Sequence, residues 1–242
     1  MYNLLISAGA AIAVFLIVSF TAGLEYWWAG LLAALLVFLG SFLLISRIIT
    51  KKLEEIMEPA MKDIQAQRFE KGIRDLKGAL RYGKWQIYVE SQINSAIGMV
   101  YFVRRDFSTA FPYLEKGFFK NWVTMGMLGV TYMKRNKRDK MKETFDKALM
   151  ATPKESLLYA LYAYCLNECG ETVKACEVLA KGVSKLPGDE NLKQNLELLR
   201  EGKKMKMKAY GEMWLQFHLE SLGTIQKQQM AAMGGRRRII RK

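Results

Sequence analysis

The hydrophobic pattern divides the chain into three stretches. Residues 1–24 contain no charged side chain and Leu4 to Phe20 is almost wholly apolar; after Glu25 the run from Tyr26 to Ser46 is again uncharged. About 20 apolar residues form a helix of about 30 Å, the thickness of a hydrocarbon core. The two runs, joined by Thr21 to Glu25, therefore predict a transmembrane hairpin over residues 1–50. Ser7, Gly9, Ala11, Gly30, Ala33 and Ala34 are small enough to let the spans approach closely. The second span is expected to continue as a helix toward Glu58, with Pro59 marking a break or a new first turn. Residues 51–202 read as paired amphipathic helices and residues 203–242 as a basic amphipathic arm and tail. The expected class is all-α.

Within the middle stretch the pattern repeats. Leu128-Gly129, Tyr132, Phe145, Ala148 and Pro153 are followed, 34 residues on, by Ala163, Leu179, Gly182 and Pro187 at the places of Gly129, Phe145, Ala148 and Pro153. A step of this length belongs to a helix pair that cannot bury its apolar face alone and stacks on its neighbours. Small residues fall where two helices must approach, and larger Tyr132, Phe145 and Leu179 fill the space between pairs.

These residues resemble the tetratricopeptide repeat (TPR), which places Leu-Gly and Tyr on a first helix, Ala, an aromatic and Ala on a second, and a Pro after it. An upstream copy matches with Ile97-Gly98, Tyr101, Ala110, Leu114 and Gly117, with Trp122 in place of the closing Pro and a step of 31 residues from Gly98 to Gly129. A fainter copy ends in Arg68-Phe69, Gly72, Leu76 and Ala79. The resemblance covers Lys51 to Asp189 and implies a helical solenoid that holds other proteins. It also implies a concave groove lined by first helices, with Gln92, Ser95, Met99, Val130, Met133, Tyr164 and Asn167 as partner-binding positions. That lining is mostly apolar and lacks the Lys and Asn pattern by which some members clamp a terminal carboxylate. A peptide or amphipathic helix is the expected occupant.

Leu192, Leu196 and Leu199 put a capping helix after Pro187. Beyond it Met207, Tyr210, Met213, Trp214 and Phe217 recur at helical spacing and predict a second amphipathic helix that must bury a Trp and a Phe. Its own groove, the groove of a second copy and a partner are the three places open to it.

Charge sharpens this picture. The net charge is +14, yet residues 1–46 contribute only Glu25. Arg47, Lys51 and Lys52 follow the second span while the hairpin loop has no Lys or Arg, which places both termini and the repeats in the cytoplasm. Tyr26, Trp27 and Trp28 suit the opposite interface. A secretory signal is the alternative for the first run, with Thr21-Ala22-Gly23 as cleavage region; no basic residue precedes that run, which favours a retained span. Arg104, Arg105, Lys134, Arg135 and Arg138 fall in equivalent turns, and Arg236, Arg237 and Arg238 close a tail in which residues 203–242 hold ten basic and two acidic side chains. These are the positions expected to meet anionic lipid or an acidic partner, each basic residue near such a surface being worth about 1 kcal/mol.

No reaction is expected. There is one histidine, no glycine-rich phosphate loop and no paired carboxylates on an apolar face. Cys165, Cys169 and Cys176 lie in one repeat without a histidine to complete a metal site, and read as reduced packing residues in a cytoplasmic compartment. No cofactor is expected. The function expected is a membrane-anchored scaffold that positions protein partners at the cytoplasmic face of a membrane, by resemblance a bacterial inner membrane. The alternatives are a lipid or nucleic-acid binding module, nucleic acid ranking below lipid, and a structural subunit of a membrane complex, with a homo-oligomer open to each.

Overall fold

A computed structural model describes residues 1–22 and 27–220. Every regular element among them is helical. The chain divides into two compact units, residues 1–100 with 116–118, and residues 101–115 with 119 onward.

The first unit opens with α1 (Tyr2–Ala22) and α2 (Trp27–Gln65). Both are long and apolar enough to cross a membrane. They pack along a stripe of small and polar residues. Ser7 is fully buried, and a Cβ on Gly30 would lie 2.7 Å from the Ser19 hydroxyl, so glycine sets the spacing there. Gly9, by contrast, faces open space. Asn3 is buried and its amide donates to the Phe42 carbonyl (3.3 Å) and the Ser46 hydroxyl (2.9 Å). Such bonds between spans average about 0.6 kcal/mol. Most of the large apolar side chains left exposed among the described residues lie on the outer faces of these helices, Phe20 at 92% being the extreme.

The helix does not stop at Pro59. α2 runs on for 39 residues with Pro59 inside it; Pro59 and Glu55, whose carbonyl loses its partner, are both exposed, so the freed carbonyl is not left in a buried site. Its end is pinned by Asp63, a buried carboxylate held by Arg68 (2.7 Å) and Lys71 (2.9 Å). The Lys71 hydrogen bond, helped by both cationic charges, holds that carboxyl below its ordinary range. α3 (Phe69–Ala79) returns along α2, made close by Gly72, where a Cβ would meet Ile64 at 2.6 Å. A 3-10 turn (Leu80–Tyr82) and a loop through Tyr88 lead to α4 (Val89–Val103), whose last turn belongs to the second unit. In that loop the Lys84 and Trp85 carbonyls accept from the Tyr2 (2.9 Å) and Asn3 (3.2 Å) amides, satisfying two of the orphan donors that start α1.

The second unit contains α5 (Phe107–Glu115), the hairpins α6 (Trp122–Lys134) with α7 (Arg138–Ala151) and α8 (Ser156–Glu168) with α9 (Thr172–Lys185), and α10 (Glu190–Arg200). Asn121 and Asp189 cap α6 and α10 by accepting from Thr124 (3.1 Å) and Leu192 (2.9 Å), each cap worth about 1 kcal/mol. The close approaches fall where the 34-residue pattern puts small residues. A Cβ on Gly129 would clash with the Phe145 ring, and one on Gly182 would lie 2.9 Å from Tyr159. Phe145 stacks on Tyr162 at 4.8 Å, carrying the packing from one hairpin to the next. Each turn between paired helices has a residue in the left-handed region: Arg105 (φ 64°), Asn136 (φ 55°) and Gly170 (φ 82°).

The second amphipathic helix is not formed. After α10 the chain is irregular through Lys206, makes one 3-10 turn (Met207–Tyr210), reverses at Gly211 (φ 61°) and adds the one-turn α11 (Glu212–Leu215). Trp214 and Phe217 are buried as expected but Met213 is 46% exposed. Tertiary burial decides the path, and the left-handed glycine permits a break that periodicity alone does not reveal. Tyr26 and the tail, including Arg236, Arg237 and Arg238, lie outside the described residues.

Candidate functional site: a helix face covered by the arm

The site lies in the second unit, where α6 and α8 meet the arm that follows α10. Phe217 is fully buried there because α6 carries no side chain at Gly126, where a Cβ would lie 2.9 Å from the ring edge. Trp122 flanks the same ring at 6.4 Å. Trp214, 1% exposed, meets Tyr164 of α8 edge-on at 4.9 Å and donates its indole N–H to the Glu220 carboxylate (2.9 Å). The arm's entry is fixed by the Asn195 side-chain carbonyl, which accepts from the Lys206 amide (2.6 Å), and by Ser156, whose hydroxyl donates to Tyr210 (3.4 Å).

His218 anchors the far end. It takes a left-handed backbone (φ 53°), sets its ring between Phe102 (5.7 Å) and Phe107 (5.9 Å), and places Nε2 3.1 Å from the Val103 carbonyl. The His218 carbonyl accepts from Lys134 Nζ (3.2 Å), and that ammonium also lies 4.6 Å over the Phe107 ring. Burial, reinforced by the Arg105 charge, lowers the pKa of both His218 and Lys134. Burial likewise pushes the Tyr164 and Tyr210 phenols up to about 12, so both remain protonated donors near neutrality.

Beside the arm a cavity of about 880 Å³ stays open. Tyr164, Asn167 and Glu168 of α8 form one wall; Lys204 through Ala209, Trp214 and Glu220 form the other. The lining combines the aromatic rings of Tyr164 and Trp214 with the charged side chains of Glu168, Lys204, Lys206, Lys208 and Glu220.

The expected groove positions divide. Val130 is fully buried, Met133 and Tyr164 are half-buried, and Asn167 is partly exposed with its side-chain carbonyl accepting from the Thr172 hydroxyl (2.9 Å). In the first unit Gln92 is exposed and Met99 half-buried, while buried Ser95 accepts from the Phe118 amide (2.7 Å). Arg104, Arg105, Lys134, Arg135 and Arg138 are all exposed, and Arg135 stacks 3.7 Å over Phe111. Cys165 is wholly buried, which raises its thiol pKa, and all three cysteines are free. Among the described residues no three metal-ligating side chains converge.

Two features have no periodic signal in the sequence. One is the Lys134 and His218 latch; a lone histidine after Trp and Phe gives no sign of its partner 84 residues away. The other is the loop before α4, where Trp85, Ile87 and Tyr88 in a short link between helices were the available signal. No family model and no curated protein matches this chain.

Proposed function

We propose that this chain is a membrane-anchored scaffold of TPR-like helix pairs that holds protein partners at the cytoplasmic face of a membrane, binding rather than catalysing. Support for the repeat reading comes from the small residues at close approaches and from the left-handed residue recurring in each turn. Support for the anchor comes from the two apolar helices with Arg47, Lys51 and Lys52 at the exit of the second. The bacterial inner membrane is the proposed setting, on resemblance of the hairpin-plus-repeat layout.

The observation that carries the reading is the burial of Trp214 and Phe217 on the α6 and α8 face beside an open cavity. The groove is thus lined in part by the protein's own arm, and the partner is expected at the composite wall of Tyr164, Asn167 and Lys204. The test is affinity purification of the full chain from native membranes. A partner lost with Tyr164→Glu or Asn167→Arg and kept when residues 236–242 are removed supports the scaffold. The reverse pattern favours the second reading, an anionic-lipid surface made by the Arg104 to Arg138 turns and the tail.

A further inference from the structure

We infer that the loop of residues 83–88 is a second membrane contact, embedded in the headgroup layer of the leaflet where α1 begins; this rests on the reading that α1 and α2 span a bilayer. Its depth is set by hydrogen bonds. The Lys84 and Trp85 carbonyls accept from the first amides of α1, and the Asn3 side chain at the same level reaches Phe42 and Ser46, one residue before Arg47. A helix of about 20 residues reaches across the hydrocarbon core, so its first residues stand at the interface and hold the loop there. The loop's composition fits that depth. Trp85 packs edge-on against Tyr2 at 5.7 Å, Ile87 and Tyr88 are 48% and 49% exposed, and Lys84 is exposed beside them. Aromatic rings and a snorkelling lysine are favoured at headgroup level, whereas the same side chains in water would leave an apolar patch.

The surface is also continuous with the spans. A cavity of about 290 Å³ joins the loop to them through Leu4, Phe42, Trp85 and Ile87, and Leu4 is itself exposed on the outer face of α1. The occupant is phospholipid. Held at both α1 and the loop, the first helix pair cannot swing freely about the end of α2, so this contact fixes the tilt at which the unit leaves the bilayer.

The test uses the full chain in phosphatidylethanolamine and phosphatidylglycerol vesicles with a photoreactive residue at one of three exposed positions: Ile87→p-benzoylphenylalanine, Phe20→p-benzoylphenylalanine on the outer face of α1, and Glu70→p-benzoylphenylalanine at the start of α3. Lipid adducts are read by mass on the labelled peptide. The expected result is lipid adduct at positions 87 and 20 in comparable yield and none at 70. Lipid adduct at 20 with position 87 behaving like 70, or crosslinking only to protein, overturns the loop contact and leaves the spans intact. Absence of lipid adduct at 20 overturns the spanning reading, and this inference with it.

Discussion

Truncating Phe217 to alanine removes the side chain that fills the slot over Gly126. The ring is fully buried, touches α6 where no side chain intervenes and is flanked by Trp122. Phe-to-Ala changes at such sites cost about 3–5 kcal/mol, part from lost transfer energy and part from the cavity left behind. The arm is held in short turns with few bonds of its own, so the loss falls on the equilibrium between docked and released arm, not on the helix pairs. At about 1.4 kcal/mol per factor of ten, the docked-to-released ratio falls by about two to nearly four powers of ten. Hydrogen exchange reads this directly: amides of residues 207–218 should lose protection by that factor in Phe217→Ala while those of α6, α8 and α9 keep theirs. Trypsin should cut faster at the exposed lysines Lys203, Lys204, Lys206 and Lys208 in parallel. Unchanged protection of the arm would refute its docking. Equal loss of protection in α6 and α8 would refute its being a separable element.

His218 has a lowered pKa, so its neutral form is the one the docked arm favours. Docking is fully present above the unperturbed value near 6.5 and weakens as pH falls below it, when the imidazolium meets Arg105 and Lys134; arm exchange measured across that pH should show the change, and His218→Gln should abolish it. Gly129→Ala should lower the thermal midpoint, because displacing the Phe145 ring costs about 1–3 kcal/mol, more than the gain in helix propensity of about 1. Gly78→Ala, with nothing within 4 Å of the added methyl, should instead raise the midpoint through a stability gain of about 0.5–1 kcal/mol, read in the same melt. Asn3→Leu removes the bonds to Phe42 and Ser46 and should loosen the hairpin modestly, by about 0.6 kcal/mol per bond, measured by disulfide trapping between the spans.

Local chemistry was legible and long-range occupancy was not. Gly129, Ala163 and Gly182 announce themselves because only small residues permit close helix approach, and the structure has them at such contacts or wholly buried. The apolar runs are equally plain, since a bilayer demands an uninterrupted hydrophobic length. Pro59 misleads because a break depends on which way the freed carbonyl faces, a fact of the fold. Met207 to Phe217 mislead because a period of 3.6 fits both a long helix and two short turns joined at Gly211, and only the slot over Gly126 and the ring of Tyr164 decide between them. Ser95 and Val130 fit a groove pattern, yet their burial follows from neighbours that the pattern does not name.

The central claim is that the arm lies on its own helix pairs, so that a partner meets a composite wall and not a bare groove. Trp214→p-benzoylphenylalanine in the full chain, photolysed in native membranes, tests it most directly. The expected product is an adduct within the same chain that maps to α8 around Tyr164. An adduct to a second copy or to another protein would contradict it and put the arm in trans.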